Sequence, residues 1–249
     1  MYQSKQDYLQ EVLETYRMRH VEDQLEKFRK KRDEVKEAIE KYYRDKIYNP
    51  INSGSFAKHT AINSKFDLDI VVPFKRNSFD TLEEMFNHLY NFLTKEYGFY
   101  NVRKQTVSIG VEFPSDNVKL DIVPGREQRE GQYRYDNDLN LFINYQYGTL
   151  QKPTYIKTNI QKQIEYIKAK ENERKIIRLL KIWKSKHNKK YKSFLLELLV
   201  IKAFKEENIE GNLWEKLKSV LEYIQNNVVK DNFTLKDPGN SGNNVILTL

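Results

Sequence analysis

The run from Phe66 to Phe74 constrains the fold of this chain more than any other feature. Apolar residues occupy every second position of the run, and this period places them on one face of a β-strand. Asp67 and Asp69 are also two residues apart, so in such a strand both carboxylates leave the opposite face. The run therefore predicts a strand of a sheet that has one apolar face and one face carrying two acids.

Helical periodicity is found on both sides of this strand. Apolar residues spaced by three, four or seven predict one long helix over residues 5–48, which ends before Asn49-Pro50. Alternating runs at 107–113 and 118–123 predict two more strands, the second ending at Pro124-Gly125. The other predicted elements are helices at 80–96 (with a capping box from Asp80 to Glu83), 158–170, 172–187, 193–206 and 212–228, and loops at 126–138 and 237–244.

This order of elements predicts an α+β protein in three parts. Residues 1–48 form an N-terminal helical part that packs on both lobes of the protein. Residues 49–154 form the core that contains the sheet, and residues 155–249 form a C-terminal helical lobe.

Composition excludes several classes of protein. The chain of 249 residues has no cysteine, which rules out disulfide frameworks and cysteine-bound zinc or iron–sulfur sites. No run reaches the roughly 18 apolar residues of a membrane helix, and the polar N-terminus is unlike a secretory signal, so we expect a cytoplasmic protein without membrane contact. The net charge of +8 favours phosphate-bearing partners weakly.

A basic run from Lys27 to Arg32 lies within the predicted N-terminal helix. It has two interpretations, the solvated outer face of the helix or a surface that binds an activating nucleic acid. We favour the outer face, because charge runs on helices are usually solvated.

Three carboxylates form the candidate catalytic constellation. Asp67 and Asp69 repel each other unless a cation lies between them, and Mg²⁺ takes one or two carboxylates together with phosphate oxygens. Asp121 belongs to a second predicted strand, between Leu120 and Ile122. If the two strands are neighbours, the three acids meet and can hold two metal ions.

A glycine-serine turn precedes these acids. Gly54-Ser55 stands just before a predicted short helix, where backbone N–H groups and a hydroxyl can bind phosphate. A phosphate cradle combined with carboxylates that bind metal ions is what phosphoryl or nucleotidyl transfer requires.

Gly54-Ser55, followed after eleven residues by Asp67-Leu68-Asp69, resembles the signature of the DNA-polymerase-beta nucleotidyltransferase superfamily. The stretch from Gly54 to Ile62 resembles oligoadenylate synthetases and the cGAS/DncV-like nucleotidyltransferases (CD-NTases), although His59 stands where many relatives have glycine. The resemblance spans about residues 50–245. It implies a polymerase-beta-like core with a mixed sheet, a long N-terminal spine helix and a C-terminal helical lobe.

The resemblance also implies roles for particular residues. Two Mg²⁺ ions, or Mn²⁺, would be held by the three aspartates, and Gly54 and Ser55 would position the β- and γ-phosphates. In the helical lobe, Lys181 and Ser193 would contact the triphosphate and Phe194 would stack on a base. Glu197 is interpreted as a structural residue that pairs or caps.

The implied activity is template-independent nucleotidyl transfer from NTPs or dNTPs. Its product would be a cyclic or linear oligonucleotide signal in bacterial antiphage defence, and this signal would act on a downstream effector protein. Two alternatives use the same fold. One is nucleotidyl transfer to a tRNA or to a protein hydroxyl, including a tyrosine of the chain itself. The other is a non-catalytic relative that binds nucleic acid.

Overall fold

The computed structural model of the chain describes residues 4–64, 66, 68–144 and 155–245. The chain divides into two units that interleave along the sequence. Unit 1 comprises Met1–Glu22, Ala57–Phe66 and Lys162–Leu249, and unit 2 comprises Asp23–Phe56 and Asp67–Gln161. The three-part division at residues 48 and 154 stays a prediction.

The described helices and strands follow the chain in this order. The α-helices are α1 (Lys5–Thr15), α2 (Glu22–Tyr43), α3 (Gly54–Ala57), α4 (Leu82–Tyr97), α5 (Tyr133–Asp136), α6 (Ile160–Lys168), α7 (Glu171–Lys186), α8 (Ser193–Glu206) and α9 (Leu213–Asn227). The strands are β1 (Ile51–Ser53), β2 (Asp69–Phe74), β3 (Val102–Lys104), β4 (Ile109–Phe113), β5 (Val118–Glu127), β6 (Leu139–Phe142), β7 (Tyr155–Thr158), β8 (Lys236–Asp237) and β9 (Asn240–Asn244).

Unit 2 is built on a mixed sheet, as the resemblance to the polymerase-beta superfamily implies. The strand order is β1-β2-β5-β4-β3, and β6 pairs with β5 and β7. β2 and β5 run parallel, whereas the other pairs are antiparallel. The apolar face of β2 is fully buried, with Ile70, Val72 and Phe74 at 0% exposure. Helix α4 packs on the sheet and buries its own apolar stripe, so the core of this unit lies between them.

The strand predicted over 66–74 begins later than expected. β2 starts at Asp69, whose partner on β1 is Ser53. The chain leaves β1 at Gly54 and enters α3, so there is no further residue of β1 with which an earlier part of the run could pair. The predicted end of this strand, at Phe74, is confirmed.

The strand predicted to end at residue 123 continues to Glu127. Pro124 and Gly125 pair in parallel with Val72 and Pro73. A Cβ atom on Gly125 would lie 2.8 Å from the side chain of Leu139, so glycine lets β6 approach closely here. The prediction that 126–138 forms a loop is therefore wrong at its start, where β5 continues to Glu127, and it misses α5.

The long helix predicted over 5–48 is also interrupted. Helix α1 ends at Thr15, and Arg17 is extended. Asn63 supplies the reason, because its backbone N–H donates to the carbonyl of Tyr16 and its side chain donates to the carbonyl of Thr15. These carbonyls are thereby withdrawn from a continuing helix.

Helices α7, α8 and α9 of unit 1 follow the predictions closely, and α8 has the predicted bounds of 193–206. Their apolar stripes form a core that includes Ile176, Leu196 and Val220. The loop predicted at 237–244 is instead part of the hairpin β8–β9, in which the buried Asp237 accepts hydrogen bonds from Gln163 and Gly239.

The N-terminal cap of α4 lies one residue beyond the predicted position. Thr81 is the cap and accepts from the N–H of Glu84, while Glu84 accepts from the N–H of Asp80. In the described part of the chain, no helix has the length and apolar character needed to cross a membrane.

Candidate active site

Two of the three predicted acids lie side by side in the sheet of unit 2. The parallel register pairs Ile70 of β2 with Ile122 of β5, so one residue earlier Asp69 lies beside Asp121. Directly neighbouring residues of adjacent strands point to the same side of a sheet, and the strands are about 4.8 Å apart. The central prediction, that two segments some fifty residues apart bring their acids together, is confirmed for this pair.

Gly54 lies directly against one of these acids. It is left-handed, with φ of +76°, and a Cβ atom built on it would be 1.7 Å from Oδ2 of Asp69. No side chain fits between them, so glycine is required both by conformation and by space. The half-buried Ser55 follows at once in α3, which places the predicted phosphate turn beside the carboxylates.

The first acid of the predicted triad, Asp67, lies outside the described residues, so its role stays a prediction. Among the described residues, no group of three or more histidine, aspartate or glutamate side chains could hold a metal ion. The pair formed by Asp69 and Asp121 nevertheless suits Mg²⁺, which takes one or two carboxylates and completes its shell with phosphate oxygens and water.

Lys181 is part of a buried network within unit 1. Its ammonium group donates to Glu197 and, at 2.8 Å, to the hydroxyl of Thr60, and it is 6% exposed. Lys58 donates to the other carboxylate oxygen of Glu197 at 3.0 Å. Helical periodicity puts Lys181 on the side of α7 opposite its apolar stripe, whereas the structure buries its side chain. The interpretation of Glu197 as a structural pairing residue is confirmed.

The charges of this network are strongly coupled. Burial by itself would raise the pKa of Glu197, but the ammonium groups of Lys58 and Lys181 outweigh burial and lower the pKa to about 2. Burial lowers the pKa of Lys181, and Glu197 opposes this effect. The network therefore contains an ionised glutamate held between two lysines.

Ser193 and Phe194 begin helix α8. The Ser193 hydroxyl accepts a hydrogen bond from Lys184 at 3.1 Å, and the N-cap of the helix is Lys192 rather than Ser193. The Phe194 ring is partly buried against the core, and the ammonium group of Lys58 lies 4.5 Å from its centroid. Contact of either residue with a nucleotide stays a prediction.

His59 adopts an unusual backbone conformation, with φ of +58°. Glycine reaches this region without steric cost, whereas a residue with a Cβ atom such as histidine is strained there. Partial burial and the nearby charges of Arg174, Lys168 and Arg178 lower the pKa of His59.

Sequence reasoning missed Gln105, Lys58 and Thr60. The side chain of Gln105 donates to Asp121 at 2.8 Å. The available signal was Gly110, a glycine inside an alternating strand, since such a glycine often marks the close approach of another group. Lys58 and Thr60 gave no local signal, because their partners are more than a hundred residues away.

The basic run of α2 is partly neutralised in unit 2. Lys31 pairs with Glu34 and Asp116, and Arg32 pairs with its neighbour Asp33. These ion pairs favour the outer-face interpretation over a surface reserved for nucleic acid, and nucleic-acid activation stays a prediction.

A sequence family described as the Second Messenger Oligonucleotide or Dinucleotide Synthetase domain, abbreviated SMODS, matches residues 4–171. This match covers more than half of the chain. The chain belongs to the SMODS family. The predicted membership of the CD-NTase branch is thereby confirmed, as is the predicted class of enzyme, a nucleotidyltransferase of the kind that makes oligonucleotide signals.

Individual relatives agree with this assignment. The SMODS chain is 24% identical over 228 residues to the cyclic AMP-AMP-AMP synthase of Escherichia coli strain MS 115-1, covering 84% of this chain and 68% of the relative. It is 25% identical over 239 residues to the CBASS oligonucleotide cyclase CdnC of E. coli strain KTE188, covering 88% and 72%.

The fold is shared with a solved relative. The structure of E. coli MS115-1 CdnC with ATP is similar with a TM-score of 0.67 and 24% identity, covering 88% of this chain and 77% of that chain. This likeness confirms the predicted polymerase-beta-like architecture of the SMODS chain.

Proposed function

We propose that this SMODS protein joins nucleoside triphosphates, without a template, into a cyclic or linear oligonucleotide that signals in bacterial antiphage defence. The observation that carries the proposal is the in-register pair of Asp69 and Asp121, with Gly54 packed against Asp69. A structural role alone does not account for two adjacent carboxylates beside a glycine-serine turn.

The acids and the glycine-serine turn would have separate roles. Asp69 and Asp121, together with Asp67, would hold Mg²⁺ or Mn²⁺. When bound, the metal supplies a lowered pKa for the attacking hydroxyl and neutralises charge on the phosphates. The backbone and hydroxyl of Gly54 and Ser55 would orient the β- and γ-phosphates so that the leaving group lies opposite the attacking oxygen.

The reaction needs no reactant besides the two nucleotides. A sugar hydroxyl oxygen forms a bond to the α-phosphorus of the second nucleotide, and the bond from that phosphorus to the β-phosphate oxygen breaks. Pyrophosphate leaves, and the hydroxyl proton passes to solvent.

ATP is the first substrate to test. A relative from E. coli strain MS 115-1 is named a cyclic AMP-AMP-AMP synthase, and the similar structure of E. coli MS115-1 CdnC was solved with ATP. We also propose that Lys181, Ser193 and Phe194 contribute to nucleotide binding. Lys58, which shares Glu197 with Lys181, is a further cation to include in such tests.

The decisive experiment incubates the protein with labelled NTPs and dNTPs and Mg²⁺ or Mn²⁺, and identifies the products by chromatography and mass spectrometry. We expect the wild type to release pyrophosphate and form an oligonucleotide. Asp69→Asn and Asp121→Asn should each lower the rate about 100-fold or more, because several kcal/mol of charge stabilisation are lost.

Asp45→Asn is the matched control, since Asp45 is an exposed carboxylate of the same unit outside the acid pair. Intact-mass measurement of the protein separates the alternatives. If a nucleotide is found attached to the chain itself, the reaction is self-modification rather than oligonucleotide synthesis. A wild type that consumes no nucleotide would contradict the proposal.

A further inference from the structure

The third acid of the site, Asp121, is held by a residue that belongs to neither of the strands carrying the acids. Gln105 lies in the turn between β3 and β4, and its Nε2 donates to Oδ1 of Asp121 at 2.8 Å. In the described part of the chain, no other side chain donates a hydrogen bond to the carboxylate of Asp121.

The amide of Gln105 is itself fixed. Its Oε1 accepts from the hydroxyl of Ser108 at 2.9 Å, and its backbone N–H donates to the carbonyl of Ser108 at 2.9 Å. A carboxylate can only accept, so the NH₂ group must face Asp121 and the oxygen must face the hydroxyl. Both ends of the side chain are therefore engaged, and the amide has one orientation.

The absence of a side chain at Gly110 makes room for Gln105 to reach Asp121. Gly110 is the partner of Asp121 in the β4–β5 register. A Cβ atom at Gly110 would lie 2.7 Å from Nε2 of Gln105, closer than such atoms approach each other. The φ of Gly110 is not in the left-handed region, so space rather than backbone conformation calls for glycine here. The glycine opens the path along which Gln105 crosses β4 to Asp121.

The chemistry of the donor matters. A lysine or arginine at this point would neutralise the carboxylate and compete with a metal ion for it. A neutral amide restricts the rotation of the carboxylate and leaves its full negative charge for the metal. Groups that orient a ligating carboxylate in this way typically contribute 10–100-fold to metal affinity or activity.

We propose that Gln105, fixed by Ser108 and admitted by Gly110, is a positioning residue that orients the carboxylate of Asp121 toward the divalent metal ion. This inference rests on the proposed function, since it requires that Asp121 binds metal. Gln105 acts through Asp121 and makes no contact with the reacting atoms.

The test measures Mn²⁺ binding directly, by electron paramagnetic resonance of the free ion during titration, without turnover. Gln105→Met keeps the length and volume of the side chain but removes the donor. We expect it to weaken Mn²⁺ binding about 10-fold or more. Gly110→Ala should act in the same direction, because its methyl group displaces the amide. Thr106→Ala, in the exposed part of the same turn, is the matched control and should bind Mn²⁺ like the wild type.

A second measurement separates positioning from a general loss of structure. For Gln105→Met we expect an unchanged denaturation midpoint within error, an unchanged KM for ATP at saturating Mg²⁺, and a lower rate that is partly recovered as Mg²⁺ is raised. A folded Gln105→Met protein that binds Mn²⁺ as tightly as the wild type would overturn the inference. If the wild type binds Mn²⁺ in an Asp121-dependent way but consumes no nucleotide, the proposed function fails while the role of Gln105 stands.

Discussion

At the scale of single residues, Gly54 shows how closely the phosphate turn and the acids are built together. Its positive φ can be tolerated by some other residues, but the 1.7 Å separation that a Cβ atom at this position would have from Asp69 cannot. The turn thus sets the position of the Asp69 carboxylate, and a larger residue must displace one or the other.

We expect Gly54→Ala to lower the free energy of unfolding by about 1–3 kcal/mol, through left-handed strain and the clash. It should also lower the rate of nucleotide consumption about 100-fold, because displacement of a catalytic group by about 1 Å has an effect of that size. Denaturant titration and a pyrophosphate-release assay measure the two effects.

Gly131→Ala is the control for this change. Gly131 also has a positive φ, of +73°, but a Cβ atom there meets nothing within 4 Å. This variant should show the strain of about 1 kcal/mol and keep its activity. Equal activity in Gly54→Ala and Gly131→Ala would show that the contact with Asp69 has no catalytic importance.

At the scale of elements, Glu197 joins three parts of unit 1. Its two oxygens receive hydrogen bonds from Lys181 of α7 and from Lys58 and Thr60 of the segment before β2. A buried ion pair adds little stability over an apolar contact, but removing one partner leaves an uncompensated buried charge. The network therefore specifies how these elements pack and makes their packing dependent on pH.

We expect Glu197→Gln to lower the free energy of unfolding by about 3 kcal/mol at pH 7. The folded pKa of about 2 lies below the unfolded value of 4.5, so the stabilisation is complete above about pH 5 and is lost as the pH falls toward 2. Urea titrations of the wild type and Glu197→Gln from pH 7 to pH 2 should show that the difference between their free energies of unfolding shrinks and then disappears. Glu210→Gln, at an exposed position, is the control, and a difference that is independent of pH would contradict the ionised state of Glu197.

At the scale of the whole molecule, ligand binding is linked to folding. A ligand that binds only the folded protein stabilises it by about 2.7 kcal/mol at 100 times its dissociation constant. If the acids bind the nucleotide through a metal ion, this stabilisation requires both the nucleotide and the metal ion.

We expect a non-hydrolysable ATP analogue with Mg²⁺ to raise the unfolding temperature by about 5–10 °C at that concentration. The rise should disappear in EDTA, shrink in Asp69→Asn and persist in Asp45→Asn. Differential scanning calorimetry measures it without any turnover. An equal rise in EDTA would mean that the nucleotide binds independently of the carboxylates.

Much of this protein could be predicted from local sequence. Alternation and helical stripes are properties of neighbouring residues, so they located β2, α4 and α7–α9 to within a few residues. The spacing of Gly54-Ser55 and the acids indicated nucleotidyl transfer because that chemistry needs a phosphate site beside metal ligands.

The remaining features depend on residues that are distant in sequence. Asn63 ends α1, the partner of Asp69 on β1 sets the start of β2, and the path over Gly110 brings Gln105 to Asp121. Lys181 is buried because Glu197 and Thr60 complete its hydrogen bonds, which the helical period could not indicate. Local period and residue chemistry thus determined the elements and the class of reaction. The tertiary structure alone decided the element boundaries and the partners of each charged group, because hydrogen-bond satisfaction and close packing are settled only where separate segments meet.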